Sequence, residues 1–259
     1  MKPLLLVTND DGIKAPGIRE LVNCLEHHYQ LIVVAPKYQQ SGKGLSSTLN
    51  NPLQVERFNF KEGVEAYCVN GTPADCIKLA TSIILKERPA LIVSGINDGD
   101  NSGRNALYSG TVGAAIEATM RGIPGIAFSC VDSTLHRFDE FALYIPKIVE
   151  HFLTHPLPDG TALNVNCPLK SLGPIKGVKL AKQGMSFWTE NFEKLKSNPL
   201  FDFDHYLGAS WVDIEEELDS DIALLSQGFI TAVPIKAVQI TDHAHFENHR
   251  AVLDSSFNI

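Results

Sequence analysis

Two carboxylates stand side by side at Asp10-Asp11, just after the apolar run Leu4-Leu5-Leu6-Val7 and just before Gly12. Like charges placed together in a partly dry crevice repel one another until something neutralises them. A hard divalent cation, which prefers oxygen ligands, is the simplest neutraliser. An isolated Asp-Asp-Gly reads equally as a solvated capping turn, so the rest of the chain has to decide between the two. It adds a Ser41 loop, an amide- and carboxylate-rich stretch from Asn97 to Asn101, and Ser109-Gly110-Thr111. Carboxylate, hydroxyl and amide oxygens suit Mg²⁺, Mn²⁺ or Ca²⁺ better than zinc. Ser109-Gly110-Thr111 reads as a helix amino terminus, where N–H groups and hydroxyls hold phosphate. Together these groups describe a metal–phosphate site.

The elements that must position them follow from periodicity. Leu4–Val7 and Leu31–Ala35 are short apolar runs ended by turn residues or proline, and read as buried strands. Between them, residues 16–27 put Ile18, Leu21, Val22 and Leu25 on one helical face. Strand, helix, strand is a βαβ unit, hence a parallel pair. Residues 36–51 read as a long loop, functional or disordered. Residues 53–58 and 64–69 predict a local hairpin-like insertion, and Thr72-Pro73-Ala74-Asp75 opens a helix running to about Leu85. Strands are expected at 90–93, 125–128, 162–166 and 228–233, the last stopping before Pro234. Helices are expected from Ser109 to Met120, over 138–153 and from Asp221 to Gln227. This alternation predicts a doubly wound, mostly parallel, Rossmann-like α/β sheet. Ligands of such sheets bind beyond the carboxyl ends of the strands, where all three oxygen-rich loops are expected. Residues 1–175 are expected to form the catalytic core. Residues 176–259 read as a β-rich extension of the same fold, with an aromatic-rich stretch at 185–215 that reads as ordinary core or as an arm.

The 259 residues, 44% hydrophobic and 20% charged, suit a folded soluble protein. A net charge of −8 argues against a nucleic-acid polymer or an anionic membrane as partner. No apolar leader or spanning stretch is visible, and the five cysteines show no Cys-x-x-Cys spacing; the expected compartment is the cytoplasm. His243-x-His245-x-x-x-His249 reads as a solvated terminal segment. The acidic run Asp213 to Glu217 reads as a solvated face or a helix start. Ser41-Gly42-Lys43-Gly44 lacks Walker spacing. A dinucleotide-binding oxidoreductase shares the βαβ start, yet needs a Gly-rich turn where this chain has Asp-Asp-Gly. A non-catalytic nucleotide sensor would share the pocket and differ only in turnover.

Five segments carry a resemblance: TNDDG at 8–12, APKYQQSG at 35–42, GTPADC at 71–76, SGINDGDN at 94–101 and YSGTVGAA at 108–115. They resemble the SurE survival-protein family of metal-dependent nucleoside-monophosphate phosphatases, with a looser match at Gln227-Gly228-Phe229 and Thr231. The resemblance implies hydrolysis of nucleoside 5′-monophosphates, with 3′-monophosphates and polyphosphate as further candidate substrates. Carried over by position, it makes Asp10, Asp11, Ser41 and Asn97 the ligands of one divalent ion. Asn101, Ser109, Gly110 and Thr111 would face the phosphate, with Asn9 nearby, and Asp10, Asp11 and Asn101 would be catalytic. The implied attack is by metal-activated water, with a covalent route through Asp10 as its competitor. Asp98 and Asp100 depart from the family pattern, where small neutral residues are commoner. The resemblance also implies that the arm is exchanged within a homodimer or homotetramer.

Overall fold

The strand at the centre of the molecule is β1 (Leu4–Thr8), buried along its whole length. Leu5 and Val7 enter one core and Leu4 and Leu6 the other, the two-residue alternation of a strand covered on both faces. The computed structural model describes residues 2–131, 137–195 and 205–257. From β1 the chain runs through α1 (Pro16–Leu25), β2 (Gln30–Pro36), β3 (Val55–Arg57), β4 (Glu65–Val69), α2 (Pro73–Leu79) and β5 (Leu91–Asp98). It continues through α3 (Gly110–Met120), β6 (Gly125–Cys130), α4 (Phe138–Ala142), α5 (Ile145–Thr154) and β7 (Thr161–Cys167). The remainder comprises β8 (Val178–Leu180), β9 (Phe187–Leu195), β10 (His205–Val212), α6 (Asp221–Ser226), β11 (Ile230–Lys236) and α7 (His243–Phe257).

Among the described residues nine strands make one sheet in the order β3-β4-β2-β1-β5-β6-β7-β11-β8. Its pairs are parallel from β4 through to β7 and antiparallel only at β3–β4 and β7–β11. Helices cover both faces. Ile18 and Leu21 of α1 join Phe141 of α4 and Ile148 of α5 in one core. Cys76 and Ile77 of α2 join Ala114 and Ala118 of α3 in the other. This is the doubly wound α/β sheet that the alternation predicts. Strand order reverses at β1: β2 lies on one side and β5 on the other, so the crevice beyond their carboxyl ends is the switch point. Among the described residues no helix is long and apolar enough to cross a membrane.

Four local expectations are revised. The segments at 53–58 and 64–69 do pair as a hairpin, but β4 also pairs in parallel with β2, so they extend the main sheet and are not an insertion. The helix expected over 138–153 is two, because Pro146 has no N–H to give and its ring would strike the carbonyl of Ala142. It sits instead in the first turn of α5. β5 runs on to Asp98, with an irregularity in its pairing to β6 between Ser94 and Asn97. β11 continues through Pro234, since β8 covers only Ile230–Ala232 and leaves Pro234 on an edge where no N–H is needed.

Beyond the sheet, β9 and β10 form a separate antiparallel hairpin. Trp188 and Trp211 face each other across it, ring centroids 5.5 Å apart and nearly perpendicular. Phe201 and Phe203, which belong to the expected arm, lie outside the described residues. The acidic run before α6 is neither a solvated face throughout nor a helix start. Glu216 accepts hydrogen bonds from Met185 N, Ser186 N and Ser186 Oγ at 2.9, 2.8 and 2.7 Å, and so buckles the base of the hairpin.

The long loop at 36–51 is fastened by a buried carboxylate. Thr72 and Asp75 make a reciprocal capping box at the start of α2. Asp75 also accepts from Ser47 Oγ (3.0 Å), Thr48 N (3.0 Å) and Thr48 Oγ1 (2.7 Å). Burial works against its ionised form, but the hydrogen bonds from Thr72, Thr48 and Ser47 outweigh it and hold the carboxyl below its usual range. Asp75→Ala should cost about 2 kcal/mol of unfolding free energy, the loss of a cap plus stranded buried donors. Because the folded pKa is depressed, that contribution is present above the unfolded value of about 3.9 and is lost as pH falls through the folded one. Urea denaturation of the two proteins at neutral pH and near pH 3 measures both: a clear gap at neutral pH and a narrower one in acid.

Candidate active site

Asp10 and Asp11 leave the carboxyl end of β1 at the switch point. The turn is shaped by Gly12 at φ +99°, a conformation that favours glycine. Asn9 Nδ2 donates to Gly12 O at 3.0 Å, which closes the turn on itself, while its buried Oδ1 has no hydrogen-bond partner. Asp10 is buried and is clasped by α3: the Thr111 hydroxyl donates to Asp10 Oδ1. A Cβ added to Gly110 would stand 2.8 Å from Asp10 Cβ and 2.9 Å from its Oδ2, so only glycine lets the helix terminus come this close. Gly17 does the same for α1, whose first turn packs on Ile96 O at a separation no side chain would allow.

Burial raises the Asp10 carboxyl above its usual range despite hydrogen bonds from the Thr111 hydroxyl and nearby N–H groups. Asp11 is pushed up to about 6, first by burial and then by the charge of Asp10, with Asp98 adding a further charge. Asp98 also opposes the shift, because its N–H donates to Asp11 Oδ2 at 3.1 Å. Among the described residues no Lys or Arg pairs with either carboxylate. Two adjacent carboxylates without a cationic side chain form a donor set that fits a divalent cation.

Hydrogen bonds bring the other sequence-predicted groups to this pair. Gln40 N donates to Asp10 O at 2.6 Å and thereby sets the neighbouring Ser41 beside β1. Ser41 is exposed, and its Oγ accepts from Gln39 Nε2 at 2.9 Å. Gly44 N reaches Tyr108 O at 2.9 Å, which draws the same loop over the start of α3. The Asp98–Asp11 bond sets Asn97 against the pair. Asn97 spends Nδ2 on Gly99 O at 2.8 Å, so that of its amide atoms Oδ1 is the one that could serve a cation. Ser109 caps α3 by accepting from Val112 N at 3.1 Å, and its hydroxyl hydrogen remains available to a substrate oxygen. Thr111 is fully buried with its hydroxyl committed to Asp10, so its side chain orients a carboxylate. Asp100 accepts from Ser102 Oγ.

Asn101 shows what the sequence did not signal. Its N–H donates to Asn166 Oδ1, its carbonyl accepts from Asn164 Nδ2, and its own Nδ2 donates to Ser129 Oγ, each at 2.8 Å. Asn164 and Asn166 sit inside a stretch that reads only as a buried strand, and Ser129 directly follows another. A polar residue within an apolar run was the one available signal. The histidines of the carboxyl-terminal segment lie on α7, where His243, His245 and His249 are exposed and the rings of the latter two stack at 4.1 Å.

Comparison with known proteins adds an independent line. The sequence model described as Survival protein SurE matches residues 5–190. The chain is 44% identical over 258 residues to the 5′-nucleotidase SurE of Protochlamydia amoebophila, covering 99% of each. It is 43% identical to that of Christiangramia forsetii, covering 95% of this chain and 94% of the relative. The crystal structure of the SurE protein from Aquifex aeolicus superposes with a TM-score of 0.82 at 33% identity, covering 97% of this chain and all of that one.

The raised carboxyls make metal binding depend on pH with a definite sign. In the metal-free fold Asp11 holds its proton up to about pH 6, where the unfolded chain has released it. The pair therefore costs stability above that pH, and the cost disappears as pH falls through 6 toward the unfolded value of about 4. A cation relieves the cost at high pH but must displace a proton at low pH. Thermal melts with and without Mn²⁺ should show a larger metal-induced rise at about pH 7.5 than at about pH 5; equal rises at both would exclude the carboxylate pair as the metal site.

Proposed function

The chain belongs to the SurE family, and from that premise we propose that its crevice hydrolyses nucleoside 5′-monophosphates with one divalent cation held by Asp10, Asp11, Ser41 and Asn97. The observation that carries the reading is the junction of β1 with α3. There, two uncompensated carboxylates abut the positive end of a helix, so a cation site and an anion site share one crevice. An all-oxygen donor set favours Mg²⁺ or Mn²⁺, with Ca²⁺ as a further candidate. Such a cation supplies Lewis-acid polarisation of the phosphoryl group and acidifies a water.

The chain's own residues do the rest. Ser109 and Asn101 offer donors to the phosphoryl oxygens, and the Gly110 end of α3 favours the charge that builds on them. Thr111 fixes the direction of Asp10. A carboxylate that is buried, clasped by a hydroxyl and wedged against glycine cannot advance on phosphorus, which favours water over Asp10 as nucleophile. The same pair of carboxylates would repel the bare pyrophosphate of a dinucleotide, which disfavours the oxidoreductase reading. Buried cysteines that form no disulfide, Cys68, Cys76, Cys130 and Cys167, suit the reducing cytoplasm.

A phosphate-release screen over nucleoside monophosphates and simple phosphomonoesters, run with Mn²⁺ and with excess EDTA, tests this function. Nucleoside 5′-monophosphates should lead and EDTA should abolish release. Asp11→Asn should retain its circular dichroism and lose activity by about 100-fold or more. Near-normal turnover in that variant, or in EDTA, would sink the assignment.

Residues 1–175 in this reading are the catalytic core and 176–259 its extension, whose hairpin serves assembly. An isolated two-stranded hairpin is marginal in water, and Trp188 is 53% exposed. Covering such a surface by a second copy of the chain is a low-cost solution, giving a homodimer or homotetramer through residues 185–215. Sedimentation at micromolar concentration should show an oligomer that is lost when the hairpin is deleted, whereas a clean monomer of the intact chain would reject it.

A further inference from the structure

Asn101 is held by bonds of two kinds. Asn164 and Asn166, both on β7, grip its main chain through the carbonyl and the N–H. Ser129 on β6 alone grips its side chain. Ser129 and Asn166 are register partners across the two parallel strands, and Asn164 lies two residues before Asn166. All three side chains therefore emerge on one face of the sheet, and all three are buried. The arrangement is not the least costly way to fasten a loop, because Asn164 Oδ1 and Asn166 Nδ2 are left without partners. What it does supply is a fixed orientation.

The terminal torsion of asparagine is broad, so a main chain held in place does not by itself fix the amide. An amide nitrogen carries two N–H bonds. With one given to Ser129 Oγ, the plane of the group is set and the second N–H has a defined direction. We propose that Ser129 is a positioning residue for the hydrolysis: it holds the Asn101 amide in the orientation that meets the phosphoryl oxygens. The inference rests on the reading above in which Asn101 faces the phosphate. Ser129 touches neither substrate nor metal, and its effect passes wholly through Asn101.

Steady-state phosphate release from a nucleoside 5′-monophosphate with saturating Mn²⁺ separates the possibilities, using Asn101→Ala, Ser129→Ala, Ser129→Thr and the double alanine variant. Ser129→Ala should lower kcat by about 10-fold or more, the effect of a lost orienting partner, with KM changed by less than about 2-fold. Ser129→Thr, which keeps the hydroxyl, should recover most of the rate. The double variant should be no slower than Asn101→Ala, since two residues acting through one bond are not additive. Should Ser129→Ala melt early, Ser129→Cys preserves volume while weakening the acceptor and should show the same fall in kcat. Additive losses in the double variant, or a wild-type kcat in Ser129→Ala beside an impaired Asn101→Ala, would overturn the proposal. A fully active Asn101→Ala overturns the underlying reading instead, and the proposal with it.

Discussion

Repulsion between two neighbouring carboxylates is the constraint on which the rest of the crevice depends. Asp10 and Asp11 are carried out of water by the central strand; burial drives both carboxyls upward, and the charge of Asp10 adds to the rise of Asp11. Nothing basic is close enough to pair with them among the described residues. The surroundings act instead by direction: the Thr111 hydroxyl turns Asp10, the Asp98 N–H turns Asp11, and the bare Cα of Gly110 lets α3 close down on the pair. In the proposed function such a site would be poised for a divalent cation, because one oxygen of each carboxyl is oriented before the cation arrives.

Carboxylates elsewhere in the molecule do a different task. Asp75, Glu216 and Asp221 each gather main-chain or side-chain donors from segments far apart in sequence. Asp75 draws in Ser47 and Thr48, and Glu216 draws in Met185 and Ser186. Asp221 accepts from Gly103 N at 3.0 Å and Gly184 N at 2.7 Å, so the turn just after Asn101 is fixed to the base of the hairpin. Arg104 adds to this junction by lying over the Phe187 ring at 4.1 Å. The turn after Asn101 and the base of the hairpin are thereby fixed to one another. The hairpin and the crevice are thus mechanically continuous.

Most strands and helices and the parallel sheet were legible in the chain because their causes are local; β8, β9, β10 and α7 were not. An apolar run of a few residues ended by Asp-Gly or Pro, a helical stripe such as Ile18-Leu21-Val22-Leu25, and a Thr-Pro-x-Asp opening each act within a turn or two of themselves. Short-range steric rules were misjudged where a single proline had two admissible settings. Pro146 starts a helix where one was expected to continue, and Pro234 stays in a strand that was expected to stop. Both outcomes turn on whether a neighbour needs the missing N–H.

The types of the candidate site residues were also readable in sequence, because oxygen-rich turns after buried strands are chemically conspicuous. Tertiary structure decided their partners. Asn101 meets Ser129, Asn164 and Asn166 across separations of 28, 63 and 65 residues, and no local pattern encodes which amide meets which hydroxyl. The same holds for Thr111, which reads as a phosphate-facing helix start and proves to hold Asp10 from 101 positions away. Periodicity tells a residue which side of its own element to occupy. Only the register of β5, β6 and β7 against one another determines what it finds there.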